Sequence, residues 1–439
     1  MVLLIGLWLV VIAINWRDEA PSADALRLQR SIDERPAVAD AANAYVLLLG
    51  LGISRDEDPL AWGVRRKAFL DDFPSGAVGE DALALPGPDH DFARDRTEAT
   101  KTLMEACRDA DRACLSRLDA HPEHVDAWLA SENWLLDRYL ALIGLTQWRE
   151  TVPSDVRAPF PPYMPALDAQ RLLLMKAWRH AGRGEAAAAR ELLQRDLTFW
   201  RMALRSSDIL ISKMIATAAI RRHFAMGNLV LRELDALGVD STPPESWSEP
   251  IDREERSMRR PFAGEWLFSK SAVAVSGDTR DSDSFFGHAA YDWAFSPFFQ
   301  PQATNNLIAA NMTHLIDGLD VELDELPCAL KSMTDPPHGG GFPGLYNPVG
   351  NILSQIGYPM YAPYAARVGD LEGIRRVVLL ASRLREEGRG GDVDLPERIS
   401  AAAFRDPYDD APFGWDAKTQ SIVFRGLEPA PRGRHAVLL

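Results

Sequence analysis

Cysteine is almost missing from this chain: Cys107, Cys114 and Cys328 are the three in 439 residues. That excludes a disulfide-dense scaffold, and the lack of a second spaced pair excludes the usual zinc knuckles. Positive charge is in deficit as well, with 48 Lys and Arg against 63 Asp and Glu and a formal net charge of −15. Affinity for a phosphate backbone depends on Lys and Arg displacing counterions, so no nucleic-acid partner is expected. A short basic patch exists at Arg253, Arg256, Arg259 and Arg260. It alternates with Asp252, Glu254 and Glu255, which reads as a solvated helix face that pairs with itself.

Reaction motifs are lacking too. There is no HExxH, no Gly-x-Ser-x-Gly elbow and no Ser-x-x-Lys. The Gly-rich stretch Pro336–Gly341 has neither the Lys nor the Ser/Thr of a P-loop and reads as a connector. No cofactor and no metal are therefore expected.

One long apolar run is present, at the start. Met1–Trp16 reads MVLLIGLWLVVIAINW and carries no charge before Arg17. A spanning helix needs about 20 apolar residues and a signal-peptide core about 7 to 15, so this run lies between the two. The nearest small-x-small cleavage pattern, Ala23-Asp24-Ala25, is distant and acidic. An uncleaved anchor is the preferred reading, a cleaved signal the second, and a buried helix of a cytosolic protein the third.

With export comes an oxidising compartment, in which Cys107 and Cys114 can pair. On one unbroken helix they would lie about 10.5 Å apart, beyond the roughly 7 Å between Cα atoms that a disulfide tolerates. Pairing therefore requires a turn around Asp109–Asp111; two free thiols on helix faces are the alternative.

The rest of the chain alternates helical patterns with short breaks. Ser22 and the pair Asp58-Pro59 read as helix starts. Val125, Trp128, Leu129, Trp134, Leu135 and Tyr139 share one longer helix that opens at Pro122. From Pro165 to Leu237, helices separated by Gly- and Ser-containing turns resemble units of a helical repeat array. Met258–Val275, Ala303–Leu319 and Ala362–Glu387 are further helices, and Asn347-Pro348 opens another. The tail holds two short strands, Phe413–Asp416 and Ser421–Arg425. The expected fold class is mainly α: a repeat-like helical-hairpin array with an N-terminal transmembrane helix and a small C-terminal β-hairpin. The expected segments are an anchor at 1–16, a helical domain at 17–237, a linker with an aromatic-rich stretch at 238–300, and C-terminal helices with the hairpin at 301–439.

The stretches NAYVLLLGLGISRDEDPLAWG, SSDILISKMI, RRPFAGEW, FFQPQATNN, NPVGN and RVGDLEGIRRV, with the spaced pair Cys107 and Cys114, resemble a group of proteobacterial envelope proteins. Those proteins are membrane-anchored, mainly helical and of unknown function. The resemblance implies an architecture and a location but no reaction.

Four constellations are weighed as sites. Glu265, in the apolar stretch Phe262–Phe268, has the surroundings that raise a carboxyl pKa for general-acid work; pairing with Arg259 or Arg260 is the plainer reading. His121 and His124 have a metal-compatible spacing, but Pro122 is expected to turn His121 away, leaving no third ligand. Asp278, Asp281 and Asp283 lack the glycine and distal Glu of a calcium loop. The aromatics Phe285, Phe286, Tyr291, Trp293, Phe298 and Phe299 are the candidate binding surface, with packing under the helices as the alternative.

The expected function is a non-enzymatic, membrane-tethered helical scaffold or binding protein. It would sit on the bacterial inner membrane with its body in the periplasm, meeting another envelope protein or a ligand. The alternative is an envelope hydrolase using Glu265 as general acid.

Overall fold

Side-chain caps at Ser22 and Asp58 start helices where the sequence places them. After α1 (Val2–Ile14), Ser22 Oγ accepts the N–H of Ala25 and opens α2 (Ala23–Asp33). Asn43 opens α3 (Ala44–Gly50), and Asp58 accepts the N–H of Leu60 to open α4 (Pro59–Asp71), with Pro59 in the first turn. The computed structural model describes residues 2–73, 83–152, 155–276, 298–337, 345–388 and 394–439, and these are mainly helical.

The next helices are shorter than their apolar spacing suggests. They are α5 (Phe92–Asp95), α6 (Glu98–Ala106), α7 (Arg112–Ala120), α8 (Pro122–Ser131) and α9 (Asn133–Leu142). The single helix expected after Pro122 is divided at Glu132, which leaves helical geometry with φ −113° and ψ 21°. There its carboxylate grips Arg96 at 2.7 and 2.9 Å, and Arg96 also reaches Asp168 at 2.8 Å. Satisfying this buried cation outweighs one more turn of helix.

Three long helices form the centre. They are α10 (Met164–Gly182), α11 (Ala186–Ser206) and α12 (Leu210–Ala236), each packed on the other two. Gly184, at φ +73°, makes the α10–α11 turn in a conformation that side chains avoid. Helix α12 runs unbroken to Ala236, with Phe224, Leu229, Val230, Leu231 and Leu234 buried along its second half.

A second group follows: α13 (Arg253–Arg256), α14 (Arg259–Ser276), α15 (Pro301–Leu319), α16 (Leu326–Ser332) and α17 (Pro348–Ile356). Trp266 donates to the carbonyl of Asn305 near one end of the α14–α15 pair, and Arg253 reaches Asp320 at the other, so the two helices run antiparallel. Helix α18 (Ala362–Gly388) packs along α12, and α19 (Leu395–Ala401) follows.

The ending holds one strand more than the expected hairpin. β1 (Gly414–Asp416), β2 (Ser421–Arg425) and β3 (Arg434–Leu438) form an antiparallel sheet in that order, with Gly414 opposite Val423 and Ser421 opposite Leu438. Phe424 seats the sheet on α18 at Gly373, where a Cβ would lie 2.2 Å from its ring. Asn228 of α12 donates to the carbonyl of Leu438 at 2.8 Å, tying β3 to the central helices.

The required turn is present between the paired cysteines. Asp111 caps α7 after Ala110 takes φ 49°, and Cys107 and Cys114 form a disulfide with their Cα atoms 4.4 Å apart. Cys328 is free and exposed.

Candidate functional site

The first residues after α1 are held by a knot of short polar side chains. Asn15 donates to the carbonyls of Val11 and Leu345 at 2.8 and 2.7 Å, and its oxygen accepts the N–H of Asn347 at 2.7 Å. Gln300 donates to the carbonyl of Asn15, and Asn347 accepts the N–H of Gln300 while donating to Thr304. Asp18 accepts the N–H groups of Gln302 and Ala303, capping α15 from outside. Ser22 and Ala20 complete the attachment through Asn306. The knot thus joins the ends of α1, α15 and α17.

Around it, the usual arrangement of apolar and polar faces is inverted. Helix α17 turns Gly350 and Ser354 inward against α15, where a Cβ on Gly350 would lie 2.0 Å from Thr304 Oγ1. Its large residues Val349, Ile352, Leu353 and Ile356, at helical spacing, face outward and are 41–66% exposed. Helix α1 buries Val11, and Asn15 just after it is buried too, while Leu9, Val10 and Ile14 are exposed and Trp16 beside them is 79% exposed. Met360 extends the patch at 65% exposed. A folded chain rarely leaves that many large side chains in water unless something covers them. Among the described residues no helix is long and apolar enough to cross a membrane; α1 itself has 13 residues. Among its described side chains Val11 alone is buried, so this part of the helix does not lie in the core.

Glu265 of α14 is half-buried and pairs with neither Arg259 nor Arg260. Burial pushes its carboxyl up to about 7, and the backbone of Leu210 at the start of α12 opposes that rise. A second carboxylate, missed in the sequence, serves the same helix start. Buried Glu150 accepts the N–H groups of Asp208 and Ile209 at 2.7 and 2.9 Å and the indole N–H of Trp148 at 2.8 Å. Burial pushes it too to about 7, against its hydrogen bonds. Glu150 thus binds the backbone just before the 27-residue α12, and Glu265 binds that of its first residue, Leu210. Ser212 meets the Tyr163 hydroxyl, whereas Lys213 donates to the carbonyls of Leu204 and Glu255 at 2.7 and 2.6 Å. Burial brings Lys213 down to about 7.

The basic patch behaves differently from a self-paired face. Arg253 pairs with Asp320 and Arg256 with Glu322, while Glu255 turns inward to Arg201 and Asp252 to Arg205. Arg259 and Arg260 form no ion pair among the described residues.

His121 does not point away from its helix. Its ring stacks on that of His124 with centroids 4.8 Å apart, and its Nδ1 lies 3.1 Å from Glu123 Oε1. The three residues bring possible ligand atoms within 4.8 Å of one another. The rings are within 13° of parallel, however, so their in-plane lone pairs do not converge on one point, and all three side chains are at least 30% exposed.

Phe298 and Phe299 are half-buried just before α15. Phe285, Phe286, Tyr291 and Trp293 lie outside the described residues, as do Asp278, Asp281 and Asp283.

A polar cluster in the core also escaped the sequence. Asp196 accepts from Tyr139, Gln170 and His223 at 2.5, 3.0 and 2.7 Å, and His223 Nε2 accepts the indole N–H of Trp247 at 2.8 Å. Accepting there leaves the ring proton on Nδ1, so His223 is the neutral tautomer and the cluster is sealed and satisfied.

Comparison with family models, curated proteins and solved structures found no match to this chain.

Proposed function

We propose that this chain is a membrane-tethered helical scaffold or binding protein of the bacterial envelope, held by α1 with its body outside the cytoplasm. The observation that carries this reading is the pair of outward apolar faces on α1 and α17, pinned to each other through Asn15 and Asn347. Helix α17 has the form of an interfacial helix: large apolar side chains outward, small residues toward the body. Trp16, amphipathic and exposed, and Arg17, the first charge, follow the apolar run as interfacial anchors do. The Cys107–Cys114 disulfide accords with an oxidising compartment. The stacked helices α10–α12 supply the rigid body expected of a scaffold.

The hydrolase alternative rests on the raised pKa of Glu265. That carboxyl packs against the start of α12 and lines neither of the cavities found beside α14. The scaffold reading is therefore preferred.

A C-terminal alkaline-phosphatase fusion tests the placement, because that reporter folds only outside the cytoplasm. Active reporter in the membrane fraction is the expected result. Activity confined to a cytoplasm-only reporter at the same position overturns the proposal.

A further inference from the structure

At the end of the α14–α15 pair remote from the knot, a cavity of about 370 Å³ opens where α13 meets α14. Arg205, Arg253, Arg259 and Arg260 line it with Glu254 and Asp320. Four guanidiniums face two carboxylates in the lining, while Asp252 and Glu322, outside it, also pair with Arg205 and Arg253. The carboxylates are already engaged: Asp320 holds Arg253 at 2.8 Å, and Glu254 lies 3.8 Å from Arg205.

Among the described residues, Arg259 and Arg260 are the lining guanidiniums without an ion pair, although the charge of Arg259 is felt by the Asp317 carboxylate. Beyond the absence of an ion pair, Arg260 makes one long contact, Nη1 to the carbonyl of Arg205 at 3.4 Å. Both sit on the first turn of the 18-residue α14, whose dipole adds positive potential there. The field extends below the cavity. Burial foremost, and then the charge of Arg260, bring Arg35 down to about 10, and the same neighbour works against the charge on buried Lys213. Guanidinium forks not engaged with carboxylates match the paired oxygens of phosphate or carboxylate groups. The volume falls within the range of small-molecule sites, about 300 to 1,000 Å³.

We infer that this cavity binds a small soluble anion carrying several phosphate or carboxylate oxygens, with Arg259 and Arg260 as its principal ligands. Helix α15 separates the cavity from the knot by 19 residues, roughly 28 Å at 1.5 Å per residue. A lipid headgroup at the apolar end therefore does not reach it, and the ligand comes from solution.

The test is calorimetric titration of the full chain in neutral detergent with pyrophosphate and, separately, with citrate. Saturable one-to-one binding of either, weakening as salt rises, is expected. The double variant R259Q/R260Q should weaken it at least tenfold while leaving the far-ultraviolet circular dichroism unchanged. Neither anion binding, or equal binding by parent and variant, overturns the inference. So does a variant whose sole loss is adhesion to vesicles containing phosphatidylglycerol. Should the variant misfold, phenylglyoxal modification of the parent decides: protection of Arg259 and Arg260 by the binding anion supports the site, and unchanged labelling contradicts it.

Discussion

The side-chain oxygen of Asn15 accepts the backbone N–H of Asn347 at 2.7 Å, across 332 positions of sequence. Asn347 stands at φ 47°, a left-handed conformation that Asn tolerates better than most residues, and it precedes Pro348 at the start of α17. One buried amide therefore sets both the exit of α1 and the entry of α17. Asn15→Ala removes three hydrogen bonds and leaves a buried N–H unpaired. Leaving such groups unsatisfied costs about 1–3 kcal/mol. Amide hydrogen exchange should rise at 345–356 in this variant while α10–α12 keep their protection. Unchanged exchange at 345–356 would contradict the pinning.

Glu150 and Glu265 give the start of α12 a pH dependence. Their folded pKa values, about 7 each, exceed the usual carboxyl value of about 4.3. The folded state thus holds these protons more tightly than the unfolded one. Their contribution to stability is full below the unfolded pKa and is lost as pH rises through about 7. Lys213 acts mainly above this window, since its lowered pKa adds stability as pH climbs from about 7 toward its unfolded value. The Tm of the parent should rise from pH 7 to pH 5.5 relative to a Glu150→Gln, Glu265→Gln double variant. Parallel profiles would show that the carboxyls titrate normally.

Much of this fold was legible because its signals are local. Ser22 and Asp58-Pro59 cap helices through neighbours two or three residues away, and helix geometry required a turn between Cys107 and Cys114 if the two were to pair. The division at Glu132 was not legible, since the salt bridges to Arg96 and Asp168 come from distant segments. β3 was missed because five residues after a turn-rich stretch carry little alternation of their own. The Asn347-Pro348 start signal placed a helix after Asn347 but could not tell which face meets the body. Gly350 and Ser354 pack inward and leave Val349, Ile352, Leu353 and Ile356 outward, an orientation set by contacts with α15 that lie far away in sequence.

The Asp196–His223 pair, 27 residues apart on α11 and α12, is sealed in the core. His223→Ala leaves Asp196 short of a donor and the Trp247 indole without its acceptor, in a site with no exposure. Leaving a buried donor or acceptor unsatisfied costs about 1–3 kcal/mol each, so chemical denaturation should show a clear fall in the unfolding midpoint. A change below about 1 kcal/mol would mean that water replaces the ring.

The disulfide predicts a count. Thiol titration of denatured, unreduced protein isolated from its native compartment should find one free thiol, Cys328. Three would show that Cys107 and Cys114 remain reduced there, and the oxidising-compartment argument would fall with them.

The central claim, that α1 and α17 face a bilayer together, is tested most directly by photolabelling native membranes with a diazirine-bearing phospholipid and mapping the labelled peptides. Adducts should concentrate on 2–16 and 348–360 and be lacking on the buried faces of α10–α12. A membrane-associated protein with no adduct on either segment, or with label on 2–16 and none on 348–360, would contradict it.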